Sequence, residues 1–217
     1  MFAAFIRKYG YLAGANLRNN QAPSLGIAAL LLMISPMLFG MANRVGAEAA
    51  EPLEKFVSLI GIALLTPLFQ AEQHPAVREV LASKKTPLAA VRLTRLFLAV
   101  LSLAVFLAVY VLLLLRAGGE FPWLPYAGGT FASAYCLGAI GLLFYSLTGQ
   151  IAIGYMLPLM YYTYNLMSGG KHLGPLKLFS MSEGSYDEKG WLLAVGTVLL
   201  AASMLIANRF DGRRLNQ

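Results

Sequence analysis

Six mostly apolar stretches recur along this 217-residue chain, each close to the roughly 20 residues that a helix needs to cross a bilayer. They cover residues 24–42, 53–71, 95–115, 127–147, 151–168 and 191–208. Charged residues make up 12% of the chain, whereas soluble domains contain about 25%, so little of the sequence can form an aqueous surface. The sequence therefore predicts an all-α integral membrane protein with six transmembrane helices in a single domain, residues 1–217.

The distribution of lysine and arginine predicts which side of the membrane each loop faces. With the N-terminus in the cytoplasm, the cytoplasmic side holds eleven of the seventeen basic residues, and the outer side holds seven of the ten acidic ones. Both termini are then cytoplasmic, and residues 169–190 form an outer loop whose apolar core, "LKLFSM", is expected to dip back toward the membrane. The same bias accounts for the net charge of +7, so no nucleic-acid partner is expected.

Two segments outside the spans have the composition of cytoplasmic surface elements. Residues 1–20 carry apolar side chains at helical spacing, which predicts an amphipathic interfacial helix; the alternative is a charged flank without a fixed position. Residues 72–90 contain a short helix, "PAVREVLA", and a turn, "SKKTP". This segment is either a rigid element that a soluble partner can push or a solvated loop that only sets topology. Arg92 and Arg95 follow it and are expected to reach the membrane interface.

Side chains that support catalysis or metal binding are scarce. The cores of the six spans contain no ionisable group, and Glu54 lies only at the start of the second span. The two histidines, His74 and His172, fall on opposite sides of the membrane, so no metal site is predicted. The phosphate-binding spacing GxxxxGK[ST] does not occur in the sequence. The chain is therefore not expected to be an enzyme, and Cys136 is expected to be a buried small hydrophobe.

The fourth and fifth spans contain the notable uncharged residues. The fourth carries small residues that permit close helix packing, namely Gly129, Ser133, Ala134, Gly138 and Gly141. In the fifth, Tyr161, Tyr164 and Asn165 recur at i, i+3 and i+4 and so share a face, on which Asn165 needs a hydrogen-bond partner. That face is either the wall of a translocation pathway or an outer aromatic belt with helix packing.

Taken together, the six spans, the amphipathic N-terminus and a motif after the second span resemble the membrane subunit of type-2 ABC exporters. The motif is an acidic residue, an "RE-L" helix and "SK", followed by a basic residue in the next span. It matches Glu72, Arg78, Glu79, Leu81, Ser83, Lys84 and Arg95. The sequence departs from the family in having "SKKTP" where "SKP" or "SRP" is common, and Thr94–Arg95 where a Gly-Lys pair is usual.

The resemblance implies a permease subunit of an ATP-driven exporter. Residues 72–85 would be the coupling helix that docks on a separate ABC ATPase subunit, and residues 1–20 would be the connecting helix. Two ATPase subunits and a second membrane subunit, either another copy or a paralogue, would complete the exporter in a bacterial plasma membrane. ATP and Mg would be bound by the ATPase and no cofactor by this chain. The coupling residues would be Glu72, Arg78, Glu79, Leu81, Ser83, Lys84 and Lys85.

Two other functions are compatible with the same features. A non-transporting membrane scaffold or accessory subunit could use the cytoplasmic helix to hold a partner. An ion-driven secondary transporter is disfavoured by the absence of an acid or histidine within the spans. The uncharged spans favour an apolar or amphipathic cargo over small ions.

Overall fold

The computed structural model describes residues 14, 21–70, 88–170 and 173–214, and over these residues the fold is all-helical. Short 3-10 turns at Val57–Leu59, Gly174–Leu176 and Met181–Glu183 accompany the helices. The helices are α1 (Ala22–Phe39), α2 (Ala47–Lys55), α3 (Ile60–Leu65), α4 (Leu88–Arg116), α5 (Trp123–Thr148), α6 (Ile151–Ser168) and α7 (Asp187–Arg214).

Four of the described helices are long and apolar enough to cross a membrane: α1, α4, α5 and α7 over residues 187–208. They overlap the first, third, fourth and sixth predicted spans. Helix α6 has the bounds predicted for the fifth span, 151–168, but four tyrosines and an asparagine lower its hydropathy, and it is not among the four. The helix lengths and compositions therefore support a multi-pass membrane protein and leave the count of six spans unconfirmed.

The second predicted span, residues 53–71, is not one continuous helix. The chain ends α2 at Lys55, makes a 3-10 turn and forms only six residues of α3 before leaving the helix at Thr66. Pro67 has no N–H to donate to the carbonyl of Ala63, so the helical hydrogen bonds stop there. Every residue of α3 is buried, and α3 packs against α1, α4 and α5. This broken segment is enclosed by the other helices.

One end of the bundle, here named the proximal end, is defined by contacts of Gln21 and Arg92. The amide of Gln21, just before α1, donates to the carbonyl of Arg95 on α4 (3.2 Å). Arg92 donates to the side-chain oxygen of Asn208 on α7 (2.7 Å) and lies 5.6 Å from the ring centre of Phe69. The proximal end therefore brings together the starts of α1 and α4, the end of the second predicted span and the later part of α7.

The opposite end, here named the distal end, is defined by the loops that follow α1 and α4. The N–H of Asn43 donates to the carbonyl of Ala117 (3.1 Å), and the N–H of Glu120 donates to the carbonyl of Arg44 (3.0 Å). Helix α5 begins three residues after Glu120. The hydroxyl of Tyr162, near the end of α6, donates to the carbonyl of Lys55. Because the contacts alternate between the two ends, the described residues run from one end of the bundle to the other in six traverses: α1, residues 47–70, α4, α5, α6 and α7.

Glycines bring α3, α5 and α6 into close contact. A Cβ atom at Gly138 would lie 2.4 Å from the carbonyl oxygen of Gly61, and one at Gly141 would lie 2.9 Å from that of Gly154. A Cβ atom at Gly129 would lie 2.4 Å from the sulfur of Met181. The prediction that small residues of the fourth span permit close helix packing is confirmed for Gly138 and Gly141, whereas Gly129 makes room for the Met181 side chain.

Candidate functional site

The predicted cytoplasmic elements lie outside the described residues. This applies to the interfacial helix over 1–20, apart from Gly14, and to the coupling residues Glu72, Arg78, Glu79, Leu81, Ser83, Lys84 and Lys85. The structure does describe the residues that flank segment 71–87, from Phe69 on one side to the first turns of α4 on the other. Both flanks belong to the proximal end.

The arginines that follow this segment lie in the protein rather than at its surface. Arg92 and Arg95 were expected to extend toward the interface, but they are only 4% and 6% exposed. The guanidinium of Arg92 bridges Phe69 and Asn208, because a planar cation can donate a hydrogen bond and lie over an aromatic ring at the same time. The two flanks of segment 71–87 are thereby joined to each other and to α7.

The three predicted pathway residues of α6 have different environments. Asn165 is fully buried; its side-chain N–H donates to the carbonyl of Tyr161 (3.0 Å), and its oxygen accepts from the N–H of Leu178 (3.0 Å). The hydroxyl of Tyr161 donates to the carbonyl of Leu176. Tyr164 is 47% exposed on the surface of the bundle. The predicted need of Asn165 for a partner is confirmed, and Tyr161 and Asn165 bind residues that precede α7.

A buried charge pair at the distal end was missed by the sequence interpretation. The ammonium of Lys189, in the first turn of α7, lies 2.6 Å from the carboxylate of Glu54 on α2, and both side chains are almost completely buried. The same ammonium donates to the hydroxyl of Ser133 on α5 (2.9 Å) and to the carbonyl of Leu178 (2.5 Å). An ammonium has three N–H donors, and all three have acceptors here.

Both oxygens of the Glu54 carboxylate also accept hydrogen bonds from the backbone. One oxygen accepts from the N–H of Met181 (2.9 Å) and the other from the N–H of Ser182 (3.1 Å). These donors lie in a 3-10 turn between α6 and α7. Burying unpaired ions is costly, and the penalty is offset only when the pair has good geometry and further hydrogen bonds. Glu54 and Lys189 meet both conditions.

The pair lies well inside the end of the bundle. Ser133, which accepts from Lys189, is ten residues along α5 from Trp123, a distance of about 15 Å in an α-helix. The sequence placed Glu54 and Lys189 on the same side of the membrane, but it assigned Lys189 only to an outer loop. One feature of the sequence could have indicated the pair. Glu54 and Lys189 carry opposite charges and border two apolar stretches on the same predicted side of the membrane.

The chemistry of this cluster is that of attachment. The ammonium and carboxylate bind each other and the backbone of residues 178–182, which holds those residues against α2, α5 and α7. Among the described parts of the chain, no group of three or more His, Cys, Asp or Glu side chains is arranged to hold a metal ion.

Comparisons with protein families, with characterised proteins and with solved structures found no match for this chain. Its function is therefore inferred from its own residues and contacts.

Proposed function

We propose that this chain is the membrane-spanning permease subunit of an ATP-driven ABC exporter. Two membrane subunits would form the pathway, and a pair of separate ATPase subunits would bind at the proximal end. The observation that carries the proposal is the set of contacts flanking segment 71–87. Phe69 and Arg92, on either side of the segment, are in contact with each other, and Arg92 is bonded to α7.

These contacts provide a mechanical route from a cytoplasmic partner into the bundle. Helix α4 contains 29 residues and is therefore about 43 Å long, so movement of its first turn tilts or shifts a long rigid element. Phe69 ends the segment that contains α3, the element enclosed by the other helices. A force on segment 71–87 would thus reach α3, α4 and α7 together.

All six traverses of the bundle are proposed to cross the membrane. The break between α2 and α3 is compatible with this, because irregular backbone at membrane depth is tolerated where protein rather than lipid surrounds it, and α3 is fully buried. The tyrosine-rich helix α6 packs against α5 along the same thickness. The bias of lysine and arginine favours a cytoplasmic proximal end. A bacterial plasma membrane is proposed from the resemblance to type-2 ABC exporters alone.

The test is an affinity purification from gently solubilised membranes, with ATPase activity measured on the eluate. Three forms are compared: the wild type, Glu79→Ala with Lys84→Ala, and a control with Glu183→Ala and Lys177→Ala. The control removes one acid and one base from an ion pair at the distal end. We expect the ATPase to co-purify with the wild type and the control and to be lost from the first double variant.

Two results would refute the proposal. An eluate without ATPase, from protein that retains its fold, would exclude a stable exporter complex. An ATPase retained by the Glu79 and Lys84 variant would exclude segment 71–87 as its docking element. A co-purifying soluble protein without ATPase activity would instead identify the chain as a membrane scaffold.

The buried charge pair does not favour an ion-driven transporter. Ionisable residues inside membrane proteins often pair with one another and mark ion pathways, but here the pair binds the backbone of residues 178–182. Both carboxylate oxygens of Glu54 and all three donors of Lys189 are engaged by protein atoms.

A further inference from the structure

Residues 173–186, here named the distal strap, connect α6 to α7 and cover the distal end of the bundle. The strap is formed by two 3-10 turns and irregular backbone, yet its middle residues, Leu178 to Met181, are buried. Gly174 and Gly184 lie near its two ends with φ angles of +50° and +83°, which other residues rarely adopt. The strap thus has two bending points and a buried centre.

Side chains of the helices hold the strap through its backbone. Lys189 binds the carbonyl of Leu178, and Glu54 binds the N–H groups of Met181 and Ser182. Asn165 adds a bond to the N–H of Leu178. The hydroxyl of Tyr161 donates to the carbonyl of Leu176, and that of Ser133 donates to the carbonyl of Leu178 (3.3 Å). The ion pair supplies three of these six backbone bonds, including both bonds to Met181 and Ser182, so the position of that part of the strap depends on Glu54 and Lys189 remaining together.

We propose that the Glu54–Lys189 pair is a latch that holds the distal strap closed, and that separation of the two charges lets the strap lift and opens the bundle at its distal end. A buried ion pair is a poor source of stability, because apolar replacements are often as stable, and its best-attested use is to select between defined arrangements. In the closed arrangement the charges are buried and paired.

The open arrangement is reached because the backbone that covers the pair, at Leu178, Met181 and Ser182, belongs to the strap itself. Once the strap lifts, water can hydrate the carboxylate and the ammonium separately, which offsets the lost attraction. Apolar side chains in the same place would gain nothing from water when the strap lifts. A charged pair therefore makes the closed and open arrangements closer in free energy than an apolar contact would. The inference concerns the strap alone and does not depend on the partner at the proximal end.

Lifting the strap would uncover a defined apolar cluster. Leu178 and Phe179 pack on Cys136 of α5 and Leu192 of α7, together with Ile62 of α3. Cys136 is buried and is the chain's single cysteine. Its reaction with a small water-soluble maleimide therefore reports on strap opening in the otherwise unmodified protein.

The test measures the rate of maleimide labelling of Cys136 in lipid nanodiscs. Four forms are compared: wild type, Glu54→Gln, Lys189→Met and the double variant. Each single change leaves one buried charge unpaired, so we expect labelling to accelerate by about 100-fold. In the double variant no charge is buried, and the single amide oxygen of Gln at position 54 can still accept from one of the two N–H groups of the strap that Glu54 binds. Its rate is expected to return to within about tenfold of the wild type.

Local opening is separated from general loosening by a second reporter. Ser203, in the later part of α7, is fully buried, and Ser203→Cys in a Cys136→Ala background should stay protected when Glu54→Gln is added. The proposal is overturned if the single variants label at the wild-type rate, or if the double variant labels as fast as the singles. Exposure of the Ser203→Cys reporter by Glu54→Gln would also overturn it, because the pair would then support the whole fold. These labelling results do not depend on an ATPase partner. If no ATPase co-purified, the exporter proposal would fail but the strap proposal would still be tested in the same way.

Discussion

The contact between α3 and α5 predicts that Gly138→Ala destabilises the protein. The added Cβ would lie 2.4 Å from the carbonyl oxygen of Gly61 and 2.7 Å from the Cβ of Leu65. These atoms belong to the backbone or are attached directly to it, so neither can rotate away. The nearest is 0.6 Å inside the 3.0 Å approach that real Cβ atoms keep. The two helices must therefore move apart.

The size of the effect follows from two opposing contributions. Overpacking of a close contact costs about 1–3 kcal/mol, and the upper part of that range applies where backbone must move. Replacing a helical glycine with alanine returns about 0.5–1 kcal/mol. The net loss in the free energy of unfolding is about 2 kcal/mol, which lowers the melting temperature by about 4–8 °C for a chain of this size.

The matched control is Gly128→Ala, on the same helix. A Cβ at Gly128 meets no atom within 4 Å, so this variant gains the helix preference without the clash. Thermal unfolding in one detergent, followed by helical circular dichroism, should give a melting temperature for Gly128→Ala equal to or slightly above that of the wild type. If Gly138→Ala and Gly128→Ala had the same melting temperature, α3 and α5 would not be in backbone contact.

Three further predictions use the same melting assay. Ser35→Ala and Tyr110→Phe should each cost about 1 kcal/mol and together little more than either alone, because they share one 2.6 Å hydrogen bond; fully additive losses would refute that bond. Asn165→Leu leaves the buried N–H of Leu178 without its acceptor and should cost about 1–3 kcal/mol, a reading contradicted by an unchanged melting temperature. Arg92→Met removes a charged donor to α7 and should cost about 1.5–3 kcal/mol; wild-type stability would argue against this proximal bridge.

The uninterrupted helices were the easiest elements to predict from the sequence. The bounds predicted for α6 match the structure because "LTGQ" ends the preceding apolar run and Gly149 adopts a positive φ of 70° there. The second segment was predicted as one helix because its hydropathy is continuous. Average hydropathy does not register the break between α2 and α3 or the helix end before Pro67, and burial of α3 among its neighbours makes this irregular backbone tolerable.

The candidate site was only partly predictable. Asn165 was recognised as a polar group that needs a partner, since an amide in an apolar helix must be satisfied. Its partner, the N–H of Leu178, lies thirteen residues later on irregular backbone, which no periodic pattern reveals. The environments of Tyr161 and Tyr164 differ for a related reason, because helical spacing assigns residues to a face but does not say which neighbour covers that face.

The sequence by itself determined that this chain is helical and strongly apolar, because hydrophobicity and helical length are properties of single segments. It also predicted that Glu54 and Lys189 lie on the same side, since alternation of spans requires only chain order. Only the tertiary structure decided that these charges meet. They are 135 residues apart, and their pairing depends on how α2, α5, α7 and the distal strap pack in three dimensions.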